Sequence, residues 1–245
     1  MRTLFLFSIV SFLFNSVAFS QDGLKVEYQV RFNDDFDRGR NDRLHKASLL
    51  VSNGNSKYFM QAQQEYKKLN DNDHVFSPDT SMVIYTNQNN GVLLAKEFGL
   101  NGQSFFLSDS LYPMQWEITE EEKKLDRFSC IKAKCQFRGR QYIAWFTPDL
   151  ALPFGPWKMG GLPGLILDLE DVDENLVIRM TGISPSAELI NQPVVIKYTM
   201  AEHISETQKL IRQLKSGARA NSSGDCLTCT GHSSYSFYFW EKILQ

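Results

Sequence analysis

From residue 24 the chain alternates. Leu24, Val26, Tyr28 and Val30 are apolar, and Lys25, Glu27 and Gln29 between them are polar. A period of two marks a strand with one buried face, so a first strand is predicted over 24–33. The charged run 34–43 that follows reads as a solvated loop. The same alternation predicts strands over 46–52, 56–61, 82–86, 91–96, 103–107, 114–119, 128–137, 141–147, 162–169, 176–183 and 194–198. Asn53-Gly54 and Asn89-Asn90-Gly91 mark hairpin turns, because Asn and Gly accept positive φ. Arg138-Gly139-Arg140 is a third tight connection. One strand about every ten residues is the habit of an all-β architecture. The expected fold is mainly β: an antiparallel curved sheet, as a half-barrel or sandwich. One segment breaks the period. Thr199-Met200-Ala201-Glu202 is a capping box. Met200, Ile204, Ile211 and Leu214 then form an apolar stripe that ends at Gly217, so one amphipathic helix is predicted near the C-terminus. Residues 217–232 read as a mobile loop. Residues 233–240, with aromatics on both faces, read as a closing strand. No linker divides the chain, and one β-rich domain over 21–245 is expected.

The first twenty residues follow a different rule. Arg2 precedes a twelve-residue apolar run, and Ala18 and Ser20 place small residues before Gln21. That is the layout of a secretory leader cut after residue 20, with an apolar run too short to span a bilayer. Without Arg2 the 26 Lys and Arg become 25, against 28 Asp and Glu. A nucleic-acid binder would carry a basic excess, so no nucleic-acid partner is expected. No later apolar stretch approaches membrane length, so no transmembrane segment is expected in the mature chain. Cys130, Cys135, Cys226 and Cys229 make an even number, which in an exported chain favours disulfides. Cys130 and Cys135 lie in one predicted strand. Five residues of strand separate them by about 16 Å and turn them to opposite faces, so they pair only if a turn or bulge interrupts it.

The stretch 127–171 is the densest in motif-like residues. It contains Cys130 and Cys135, then Phe137-Arg138-Gly139-Arg140, Trp145-Phe146-Thr147-Pro148 and Gly155-Pro156-Trp157-Lys158. It closes with Gly161, Leu162, Pro163, Gly164, Leu165 and Ile166. In order and spacing these resemble the GLPGLI family of exported proteins from Gram-negative bacteria. The resemblance implies a periplasmic or cell-surface location and a β-rich fold, and brings no agreed biochemical activity with it. The Cys226–His232 segment has no counterpart in that resemblance. Taken residue by residue, the motif is a built corner. Pro148, Pro153, Pro156 and Pro163 fix φ, and the glycines permit close approaches. Phe154, Trp157, Met159 and Trp145 are its large apolar surfaces, either as a structural plug or as an aromatic-lined mouth for a ligand. Trp145, inside a strand, is expected to be interior, and Trp157 is the better candidate for contact.

Catalytic signatures are missing: there is no Gly-x-Ser-x-Gly elbow, His-Glu-x-x-His or phosphate loop. His203 and Glu206 could share a helix face, which is read as solvated surface. The run Asp168, Glu170, Asp171, Asp173, Glu174 begins like a calcium loop but lacks its central Gly and closing Glu, and reads as a charged strand end. Cys226, Cys229 and His232 offer three soft ligands for a metal, with a local disulfide ring the favoured alternative. No cofactor is expected. The sequence therefore predicts an exported, non-catalytic envelope protein whose partner is a hydrophobic ligand, a peptide-like ligand or another envelope protein. The alternative is a thiol- or metal-handling protein using Cys130/Cys135 and Cys226/Cys229/His232.

Overall fold

The structure, a computed structural model, describes residues 23–32, 44–61, 81–98, 104–112, 114–194, 198–199, 201–205 and 208–209. The expected leader, the 34–43 loop, the 217–232 loop and the 233–240 strand lie outside these residues. Six strands form the first half: β1 (Gly23–Phe32), β2 (Leu44–Ser52), β3 (Asn55–Met60), β4 (Met82–Asn87), β5 (Val92–Phe98) and β6 (Ser104–Ser110). The second half is β7 (Glu117–Leu125), β8 (Phe128–Phe137), β9 (Arg140–Thr147), β10 (Leu165–Asp171) and β11 (Leu176–Ser186), with the two-residue β12 (Tyr198–Thr199) after it. All twelve belong to one sheet, in the order β12-β6-β5-β4-β3-β2-β1-β11-β10-β9-β8-β7.

Each half is an up-and-down meander, and β1 joins them by pairing with β11 over Gly23↔Ser186 to Phe32↔Leu176. Every pairing is antiparallel except β12 with β6. Local chemistry sets the turns. Asn53 and Gly54 both have positive φ, 50° and 72°, which matches the twist of the β2–β3 hairpin. Arg138 and Gly139 repeat this at β8–β9, with φ of 47° and 76°. The predicted capping box forms at its expected place. Thr199 N and Oγ1 donate to Glu202 Oε2 at 2.8 and 2.9 Å, and Glu202 N donates back to Thr199 Oγ1. Residues 201–205 and 208–209 are helical. Among the described residues no helix is long and apolar enough to cross a membrane.

The sheet must curl. β6 and β7 stand ten strand steps apart, about 48 Å if flat at the usual spacing. Only residues 111–116 connect them, a reach of about 25 Å. Side chains confirm the closure: Arg138, at the β8–β9 turn, pairs with Asp109 of β6. The concave face carries the core. Val26, Leu49, Ile84, Ala95 and Leu107 form one register row across the first half, all buried. A bulge between Ile166 and Asp168 breaks the β9–β10 ladder, and Tyr28 Oη, from the core, donates to Ile166 O at 2.7 Å.

Several strand boundaries differ from the sequence reading, and three of the differences have a clear local cause or consequence. β7 runs to Leu125 rather than 119, because a register irregularity between Ile118 and Glu122 hides its period from sequence. β10 starts at Leu165 rather than 162: Pro163 has no N–H, and Leu165 N turns instead to Leu150 O at 3.0 Å. Val194, expected to open a strand, is 95% exposed and outside any strand, and among the described residues of that segment Tyr198 and Thr199 pair.

Candidate functional site

The corner between β9 and β10 is held by its own backbone. Phe154 N donates to Leu152 O, Met159 N to Pro156 O, Gly161 N to Pro153 O and Ile166 N to Phe154 O. A bridge pairs Phe154 with Gly160. Gly164 is required by close approach: a Cβ there would lie 2.2 Å from Thr147 O and 2.7 Å from its carbonyl carbon. Gly160 serves the same end, since its Cβ would fall 2.4 Å from ring carbons of Tyr112. Tyr112 lies over Gly160 and Gly161, and Trp116 Nε1 donates to Gly160 O at 2.8 Å. The β6–β7 connection thus straps the corner down. Burial pushes the Tyr112 phenol well up, partly offset by its hydrogen bond with Thr86. Thr86 Oγ1 is in turn 2.5 Å from Ser56 Oγ. Neither Tyr112 nor Trp116 could be assigned to the corner from sequence, because no local period links residues 44 or more positions apart.

The corner fills the concave face. Phe154, Met159 and Leu162 are each 1% exposed, and Leu165 and Ile166 are fully buried. The expectation for the two tryptophans is reversed. Trp157 is buried, with its ring 6.1 Å from Phe137 and 5.9 Å from Tyr142. Its φ of 57° lets the indole turn inward from the corner, a backbone state that bulky L residues rarely adopt. Trp145 is half-buried on the other side of the sheet. Its neighbours Ala144 and Phe146 take the core face, so strand alternation sends Trp145 outward.

Beside Trp157 the core face has a shallow apolar dimple lined by Val30, Phe32, Tyr58, Met60, Met82 and Ile178, among others. Its free volume is about 10 Å³, roughly one water molecule. Two charged residues are buried nearby. Lys158 follows Trp157, and Glu97, two residues beyond the core residue Ala95 on β5, pairs with Phe105 of β6. The sequence reading had given neither a role.

On the convex face, Trp145 lies under two ammonium groups, Lys123 at 4.4 Å and Lys132 at 5.8 Å from its centroid. Lys123 Nζ also donates to Asp168 Oδ2 at 2.9 Å, and Met180 N donates to Asp168 Oδ1 at 3.2 Å. Arg179 adds an ion pair to Glu170. Asp168, Glu170 and Asp171 of the acidic run thus hold structural contacts. Asp171, 1% exposed, accepts from Arg140 Nη1 at 3.0 Å, Leu176 N at 3.0 Å and Asn175 Nδ2 at 3.3 Å. Among the described residues no group of three His, Cys, Asp or Glu is gathered to hold a metal.

The expected disulfide chemistry is not met at the first cysteine pair. Cys130 and Cys135 are both free and buried. The β8–β9 register is unbroken from Ile131↔Phe146 to Phe137↔Arg140, and Cys130 directly precedes Ile131 on the same strand, so strand alternation turns the two thiols to opposite sides of the sheet. Burial raises the Cys130 thiol to about 11, with Asp168 adding to it, and raises Cys135 to about 12. Reactive thiols have lowered values, so this environment suppresses thiolate chemistry. It also predicts alkaline sensitivity. The folded state keeps both thiols protonated, so their contribution is complete below about pH 9, where an unfolded thiol ionises, and is lost as pH rises through 11 and 12. Denaturant midpoints should fall above about pH 9, and a Cys130→Ala, Cys135→Ala variant should fall less steeply. Identical slopes for the two proteins would refute this. Cys226, Cys229 and His232, with Glu206, lie outside the described residues. His203 is in the helix, its ring 5.4 Å from Phe105 and 6.2 Å from Tyr198, so it joins an aromatic cluster.

No family model matches the sequence. No curated protein matches it. Among solved structures the chain is similar to a protein described as PNGF-II, with a TM-score of 0.53 and 20% identity over 74% of this chain. A second crystal form of that protein gives a TM-score of 0.49 at the same identity, over 73% of this chain. The chain spans about a third of the length of that protein, 32% and 30% in the two forms. The likeness is one of fold.

Proposed function

We propose that this chain is an exported, non-catalytic envelope protein of the GLPGLI type that binds a hydrophobic or peptide-like partner. The leader-like start and the ordered motif from Cys130 to Ile166 support the location and the family. The observation that carries the binding reading is the apolar dimple at Trp157. It sets Trp157 beside Met60 and Met82, side chains that adapt to irregular apolar groups. At about 10 Å³ it suits the tip of one side chain and not a whole lipid. The partner is therefore peptide-like, anchored by one apolar side chain. The raised thiols weigh against redox work at Cys130 and Cys135.

Tryptophan emission tests the reading. The full chain is titrated with short peptides carrying a single leucine, methionine or phenylalanine, and separately with phosphatidylethanolamine vesicles. A saturable shift with peptide, weak or absent with vesicles and lost in Trp157→Phe, is the expected result. An unchanged response in Trp157→Phe, or none in the wild type, would remove the dimple as the site.

A further inference from the structure

β7 is the last strand of the sheet, and only β8 pairs with it among the described residues. Its nine residues present an edge about 30 Å long. The side chains that are engaged are engaged inward. Glu121 pairs with Lys132 of β8, Lys123 with Asp168 of β10, and Thr119 donates to Lys132 O. Glu117, Glu120 and Glu122 are exposed, and none forms an ion pair among the described residues. One apolar residue stands among these acids. Ile118 is 47% exposed and ends a core row that runs Val30, Ile178, Leu169, Ala144, Ala133. Ala133 and Ala144 are fully buried, so the row stays apolar until it meets solvent at the edge.

We infer that the outer edge of β7 is a docking edge for an extended, lysine-rich segment of a partner protein, which adds to the sheet as a further strand. Among the described residues no strand lies on the outer side of β7, and such an edge offers backbone N–H and C=O groups, the basis of strand addition. Ile118 gives the incoming strand one apolar contact, and the three unpaired acids select for cationic side chains opposite them. The unpaired acids stand in the Glu117–Glu122 half of the strand and the exposed Lys124 in the other, so the lysines of the partner lie along the acid half. The inference shares with the proposed function only the idea of a peptide-like partner, and it concerns a different surface.

The probe is an eight-residue peptide of alternating lysine and valine, with a fluorophore for anisotropy against the full chain. Two controls accompany it: the same peptide with alternate backbone nitrogens methylated, and one with glutamate in place of lysine. Saturable binding of the lysine peptide is expected, weakened about tenfold or more by methylation, which removes the strand hydrogen bonds but no charge. Glu120→Lys combined with Glu122→Lys should weaken it by about tenfold and let the glutamate peptide bind. Backbone amides of β7 should gain hydrogen-exchange protection in the wild-type complex. Equal binding by the methylated peptide would reduce the edge to an acidic surface, and no binding at all would overturn the inference outright. Trp157→Phe should leave this binding unchanged, which separates its failure from failure of the dimple.

Discussion

Trp157→Ala is expected to destabilise the protein by about 3–5 kcal/mol, the usual cost of removing a buried aromatic side chain. Trp145→Ala is expected to cost only about 1–2 kcal/mol, from partial burial and the two cation–π contacts. The difference follows from position. Trp157 fills the concave face against Phe137 and Tyr142, and its removal leaves a void that the corner's backbone bonds prevent from collapsing. Trp145 loses its contacts with Lys123 and Lys132, and solvent takes its place. A third variant sharpens the test. Ala at 157 keeps the strain of a φ of 57°, whereas Gly does not, so Trp157→Gly should be more stable than Trp157→Ala by about 1 kcal/mol. Urea denaturation of the three variants measures all of this. Equal losses at 145 and 157, or a Gly variant weaker than the Ala variant, would contradict the described packing.

Asp171→Ala should cost about 3–5 kcal/mol, because breaking a buried ion pair leaves a charge without its counterion. The carboxylate binds Arg140 across the β9–β10 pair and caps the β10–β11 turn through Leu176 N. Asp171→Asn keeps an acceptor for Leu176 N and should lose less. Val172→Ala, at an exposed neighbour, is the control and should stay within about 0.5 kcal/mol of the wild type. If Asp171→Ala unfolds at the same urea concentration as Val172→Ala, the network does not support the turn.

These expectations show how unevenly the site was legible. The corner could be read as rigid and irregular from its prolines and glycines alone, since those residues constrain φ wherever they stand. Its orientation could not. Trp145 was expected inside because it sits in a strand, but period-two alternation says only that Ala144 and Trp145 face opposite ways. The burial of Ala144 against Ala133 and Leu169 decides which way. The odd spacing of Cys130 and Cys135 placed them on opposite faces, yet the preference for disulfides in an exported chain pointed to a bridge. Geometry prevails over compositional expectation there. Lys158 and Glu97 were missed because nothing in a sequence marks a charged residue as buried until its surroundings are known.

By itself the sequence determined what depends on neighbours within a few residues. That covers the strands with a clear alternation, the Asn53-Gly54 and Arg138-Gly139 turns, and the Thr199–Glu202 cap. Each is fixed by local φ preference, side-chain period or a hydrogen bond three residues long. Only the tertiary structure decided that β1 pairs with β11 and that residues 111–116 cross from one end of the sheet to the other. It also decided that Tyr112 seats on Gly160, that the corner turns Trp157 inward, and that the core row ends at Ile118 on an open edge. Those features depend on strand order, bulges and curl, which bring together residues tens to more than a hundred positions apart. No local pattern encodes which distant row will face which.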